Sequence, residues 1–128
     1  MPTRAETALA KVRKLCLSLP DATERASHGG PTFFIGAKKA FVMFLDNHHG
    51  DGRLAPWCAA PPDAQAMLVE SDPDVYFVPP YVGRSGWIGV RLDRGAPWPV
   101  IAGAIERAYE ARRAAKRAVA RRSQRGHP

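Results

Sequence analysis

Apolar residues recur at helical spacing at both ends of this 128-residue chain and lose that spacing in between. Near the start, Ala8, Leu9, Val12, Leu15, Cys16 and Leu19 fall three and four residues apart, which is one face of a helix. Thr3-x-x-Glu6 ahead of them is a capping-box pattern, and Pro20 closes the run. Near the other end Trp98, Ile101, Ala102, Ile105 and Tyr109 make a second stripe, with Pro97 suited to its first turn. Two such helices must each bury a face, so the middle of the chain has to supply the surface they pack on.

The middle reads as short strands. Phe33-Phe34-Ile35 and Ala40-Phe41-Val42-Met43-Phe44-Leu45 are β-prone runs, and Gly36-Ala37-Lys38-Lys39 between them predicts a hairpin. A loop rich in Asp, Asn, His and Gly covers 46–52, and Leu54 to Ala59 predicts a third strand. Pro61-Pro62-Asp63 opens a short helix that runs to about Ser71. Val75-Tyr76-Phe77-Val78 is apolar until Pro79-Pro80 breaks it. Trp87, Ile88, Val90 and Leu92 then mark a strand with Arg91 on its opposite face. This order predicts an α+β fold, an antiparallel sheet flanked by an N-terminal and a long C-terminal helix. The length suits one domain, taken as 1–111, with 112–128 as a basic helical extension.

That extension follows from charge. The net charge is +7, and residues 1–106 hold equal numbers of basic and acidic side chains. The excess therefore sits in 107–128, where Arg107, Arg112, Arg113, Lys116, Arg117, Arg121, Arg122 and Arg125 face Glu110 alone. Arg112 and Lys116 continue the apolar stripe of the last helix. A core does not accept unpaired cations, so the helix is expected to leave the body or fray after about Tyr109. No apolar run approaches the ~20 residues of a membrane span. The first residues lack the pattern of a signal peptide, so the expected location is the cytoplasm. Cys16 and Cys58 lack a CxxC spacing and read as free, buried thiols.

Several segments together carry a resemblance. Leu17-Ser18-Leu19-Pro20-Asp21-Ala22-Thr23-Glu24 closes the first helix, and Ser27-His28-Gly29-Gly30-Pro31-Thr32-Phe33-Phe34-Ile35-Gly36-Ala37-Lys38-Lys39 follows it. Pro80-Tyr81-Val82-Gly83-Arg84-Ser85-Gly86-Trp87-Ile88 comes later, and Ala108-Tyr109 lies in the last helix. Over residues 8–118 this order resembles the MmcQ/YjbR family of small bacterial proteins. Ala108 stands where many members carry Ser, and the Arg-rich stretch past Arg117 looks particular to this chain. The resemblance implies a CyaY-like sheet with flanking helices in a double-wing arrangement, and DNA as a partner. It offers no catalytic residues to carry over.

Four groups of residues are candidate sites. The basic run, with Arg112, Arg113, Lys116 and Arg117, is suited to phosphates, whose neutralisation releases counterions; it could equally be a solubilising tail. Lys38 and Lys39 at a hairpin tip, with Arg53, Arg84 and Arg91, fit a wing lying on a nucleic-acid backbone, or are plain solvated charge. Tyr76, Tyr81 and Trp87, with Trp57 and the close approach that Gly83 and Gly86 permit, form a ligand or partner surface, or simply core. His48, His49 and Asp51 carry metal-ligand types but lack a second pair at metal-site spacing. His28 has no orienting acid that spacing can place. The chain contains no GxGxxG, P-loop, GxSxG or HExxH pattern, so a binding role without a cofactor is expected rather than catalysis.

Overall fold

The structure, a computed structural model, describes residues 1–27 and 29–125, with side chains through Arg113. Thr3 caps helix α1 (Arg4–Leu17) as its sequence predicts: the Thr3 hydroxyl accepts from the Glu6 amide at 3.1 Å, and the Glu6 carboxylate accepts from the Thr3 amide at 3.2 Å. Ala8, Val12 and Cys16 are its buried face. Six strands follow, interrupted by helix α2 (Ala64–Ser71): β1 (Ala22–Ser27), β2 (Gly30–Ile35), β3 (Lys39–Asp46), β4 (Leu54–Cys58), β5 (Tyr76–Phe77) and β6 (Ile88–Val90). Helix α3 (Trp98–Arg125) closes the chain. The sheet order is β1-β2-β3-β4-β6-β5 and every pairing is antiparallel, so the fold is α+β with helices flanking a sheet.

Cross-strand partners share a face, and neighbours along a strand take opposite faces. One row is Phe33, Val42, Cys58 and Ile88, paired in turn across four strands. These side chains are buried in one core with Val12 and Cys16 of α1 and Ile101 and Ile105 of α3. The next row, Met43, Trp57, Gly89 and Phe77, belongs to the other face. Among the described residues no α-helix covers it; the residues that do so, His48 and Tyr81 among them, come from the connections between strands. Gly89 has a role in this row, because a β-carbon there would overlap the Phe77 ring. A bulge breaks the alternation once. Phe33 pairs with Val42 but Phe34 with Ala40, leaving Phe41 as an extra residue on β3. A bulge re-aims its side chain. The Phe41 ring meets Tyr109 of α3 edge-on, with centroids 5.6 Å apart.

Strand β1 is not predicted from its sequence. Ala-Thr-Glu-Arg-Ala-Ser has little β propensity and little apolar content. Tertiary contacts hold it. Arg13 of α1 grips both oxygens of Glu24 at 2.7 and 2.9 Å, and Arg25 lies 3.8 Å over the Phe34 ring. Its polar composition suits a sheet edge.

Candidate functional site

Antiparallel pairing brings three connections to one end of the sheet: the turn 36–38 between β2 and β3, the segment 59–63 after β4, and 78–87 between β5 and β6. Lys38 is exposed in the first of these, and Lys39 is half-buried as the opening residue of β3. Arg25 joins them by donating to the Ala37 carbonyl. Arg84 is exposed in a 3-10 turn, Val82–Ser85, within the third connection. Helix α3 crosses the same end. The Tyr109 hydroxyl donates to the Pro20 carbonyl at 2.7 Å, and one turn later Arg112 Nε donates to the Ala40 carbonyl at 2.9 Å. Arg113 is half-buried, with Glu110 at 3.7 Å.

Arg112 therefore departs from the expectation that the helix leaves the body after Tyr109. The last helix stays on the body for another turn because the Arg112 guanidinium meets a main-chain acceptor at the start of β3. Nor does the backbone fray, since α3 is helical to Arg125. The side chains of Lys116 and Arg117 lie outside the described residues, as does His28.

Of the predicted cations, Lys38, Lys39, Arg84, Arg112 and Arg113 thus gather at one end of the sheet. Arg53 and Arg91 do not; they flank the opposite ends of β4 and β6. Arg53 sits 4.1 Å over the Phe77 ring. Arg91 makes a two-pronged bond to Asp93 at 2.9 and 2.7 Å, and this bond holds the Asp93 carboxyl below its usual value. The cationic end is not free of acid. Asp21 accepts the Gly36 amide through its carbonyl, 2.8 Å away, and Glu110 lies one turn before Arg113.

Beside these cations runs a groove of about 760 Å³. Trp87, only 6% exposed, forms its floor. Ser85 and Gly86 line one side, Arg107 and Arg112 the other, with Glu110 between them in sequence. Gln65 of α2 fixes the floor by donating to the carbonyls of Gly83 at 2.9 Å and Trp87 at 2.6 Å. Two arginines that line one groove with an indole suit an anion attached to something flat. Arg107, counted in the sequence only as part of the basic run, and Arg25, not counted there at all, belong to this surface. The helical phase of Arg107, one turn before Ala111, is the available signal for the first. Nothing local marks the second, because β1 itself is not legible.

The predicted aromatic surface is divided. Tyr76 is 8% exposed and pairs with Val90 from the edge strand β5, so it belongs to the core, apart from the other two. Trp87 belongs to the groove just described. Tyr81 is 72% exposed and lies apart, with its ring 6.2 Å from that of His48. Gly83 does permit a close approach, by Val78, whereas Gly86 is needed for its positive φ of 86°. His48 and His49 pack ring against ring at 4.0 Å, and Asp51 accepts the Arg53 amide at 2.9 Å. Among the described residues no cluster of three His, Cys, Asp or Glu could hold a metal. Both cysteines are free and buried. Burial pushes the Cys58 thiol up to about 12, against a smaller opposing pull from Arg107, and raises Cys16 as well.

No helix among the described residues is long and apolar enough to cross a membrane. Neither the curated proteins nor the solved structures contain a match to this chain. A family model does match, over residues 17–111, which run from the end of α1 through all six strands into α3 and stop one residue short of Arg112. By that match the chain belongs to the YjbR family.

Proposed function

We propose that this protein is a nucleic-acid-binding module, not an enzyme, that takes the phosphate backbone of DNA along the cationic end of its sheet without reading sequence. The observation that carries the reading is the Arg112–Ala40 hydrogen bond at 2.9 Å. It ties the root of the basic run to the strand that Lys39 opens, next to Lys38 at the hairpin tip. The groove supports it further, with Arg107 and Arg112 across from the segment that carries Arg84. Such a surface follows a backbone through point charges and forks, and carries no arrangement for base edges. Two free buried thiols accord with a reducing, cytoplasmic setting.

Fluorescence anisotropy with a labelled duplex and a labelled single strand, each at 50 and 200 mM salt, tests this. Binding at the lower salt should weaken steeply at the higher one, by a factor that grows with the number of phosphates engaged. Exchanging Lys38 and Arg84 together for Glu should weaken binding about tenfold or more on any sequence. Absence of binding at 50 mM salt to either strand form ends the proposal, and indifference to the double exchange removes the sheet end from it.

A further inference from the structure

The second face of the sheet, the one without helices, carries a cavity of about 330 Å³ lined by Met43, His48, His49, Trp57, Tyr81 and Val82. Its position follows from the topology. Met43 and Trp57 are cross-strand partners in the outer row, 6% and 3% exposed, and form the floor. Two connections reach over them from opposite ends of the sheet: the β3–β4 loop with His48 and His49, and the β5–β6 connection with Tyr81 and Val82. The His48 ring stands edge-on to Trp57 at 4.9 Å and to Tyr81 at 6.2 Å. No Lys, Arg, Asp or Glu is among the lining residues.

Two further observations set this cavity apart from ordinary packing. First, His48 Nε2 is out of contact with solvent and has no hydrogen-bond partner among the described residues. Leaving such an atom unpaired is costly, so a buried polar atom without a partner calls for an explanation. Second, both lips are strained. Tyr81 has φ 63° and ψ −70°, and the Val82 amide donates to the Pro80 carbonyl at 2.7 Å across it. That is a γ-turn of the rare, strained form. On the facing lip Asn47 and His49 are left-handed, at φ 55° and 50°. Strain of this kind persists where the surroundings impose it, and it gathers at ligand clamps.

We propose that this cavity binds a small, uncharged, planar heteroaromatic compound about the size of a fused two-ring system, stacked against the aromatic walls, with a ring nitrogen meeting His48 Nε2 once the enclosed imidazole edge turns into the cavity. The volume lies at the lower end of those of small-molecule sites. The lining excludes a phosphate or carboxylate, which would find no cation there. A ring nitrogen supplies the one polar contact that the wall lacks. Tyr81, exposed and held at the rim by its strained turn, closes over the ring. The site shares the β5–β6 connection with the cationic sheet end but none of the cations placed there lines it.

The chain's three methionines provide the readout. With methyl-labelled methionine, Met43 reports on this cavity, while Met67 lines a different one beside α2 and Met1 is exposed at the terminus. Indene, indole and benzimidazole serve as probes of nearly equal shape and increasing nitrogen content. Benzimidazole should shift the Met43 methyl signal saturably, leave Met1 and Met67 in place, and bind about tenfold tighter than indene. His48→Phe keeps a ring and removes the nitrogen; it should abolish that preference while indene still binds. Tyr81→Ala, a change at an exposed residue, should weaken all three probes. No Met43 shift at millimolar probe, equal shifts at Met67, or an unchanged preference in a folded His48→Phe protein would each overturn the proposal.

Discussion

At the scale of single residues, burial decides the chemistry here more than residue type does. Cys58 lies in the row that faces the helices and is fully enclosed, so its thiol is pushed up to about 12 from an ordinary 9.0. The sign of the consequence follows directly. Between those values the native thiol keeps a proton that the unfolded chain releases, so stability falls as pH rises above about 9, by roughly 1.4 kcal/mol per pH unit. Urea unfolding at pH 8.5 and at pH 10 should therefore show a loss on going up. Cys58→Ala should show a shallower dependence, whatever its own cost at pH 8.5. An identical slope in the variant would mean that the thiol is not the group responsible. The burial of both cysteines was legible from the sequence, since one sits on a helical stripe and the other follows Trp57 in a β-prone run. The fate of the histidines was not. His48 and His49 carry metal-ligand types, and only the folded loop reveals that they meet edge-on and that His48 also meets Trp57 edge-on.

At the scale of elements, what the sequence made legible follows local periodicity, and what it hid depends on partners distant in the chain. The capped first helix, the hairpin and the last helix each announce themselves within a few residues. Strand β1 does not, because its stability comes from Arg13 on α1 and from Phe34 on β2. The bulge at Phe41 is equally silent, yet it explains how α3 docks: the re-aimed Phe41 ring gives Tyr109 an edge to pack on. The Tyr109 hydroxyl then reaches across 89 positions to the Pro20 carbonyl at 2.7 Å, tying α3 to the end of α1. Tyr109→Phe keeps the ring packing and leaves that carbonyl without its donor. A destabilisation of about 1 kcal/mol is expected, seen as a fall of several degrees in the melting temperature. No change would place the hold of α3 in its apolar face alone.

At the scale of the whole molecule, charge and family point to different parts of the chain. The family match ends at residue 111; residues 1–111 hold equal numbers of basic and acidic side chains, and the excess cations begin at the next residue. The sequence alone made that imbalance plain, but the expectation that α3 leaves the body after about Tyr109 missed one more turn of contact. Stripe arithmetic treats Arg112 as an unpaired cation, whereas the fold offers it the Ala40 carbonyl. The root of the basic run is thus part of the body's surface, and polyanion binding through the sheet end should have two separable contributions. Exchanging Lys116, Arg117, Arg121, Arg122 and Arg125 for Gln removes five of the seven net charges and keeps helix-forming residues throughout. The melting temperature should hold within a degree or two, because the described core residues of α3 end at Tyr109. DNA affinity should fall and its salt dependence flatten, by about 0.9 in the logarithmic slope for each phosphate that is no longer neutralised. Residual salt-dependent binding, removed only when Lys38 and Arg84 are also exchanged, would assign the remainder to the sheet end. If the five exchanges abolish binding by themselves, the body contributes nothing, and the arm acts as a charged appendage that any fold could carry.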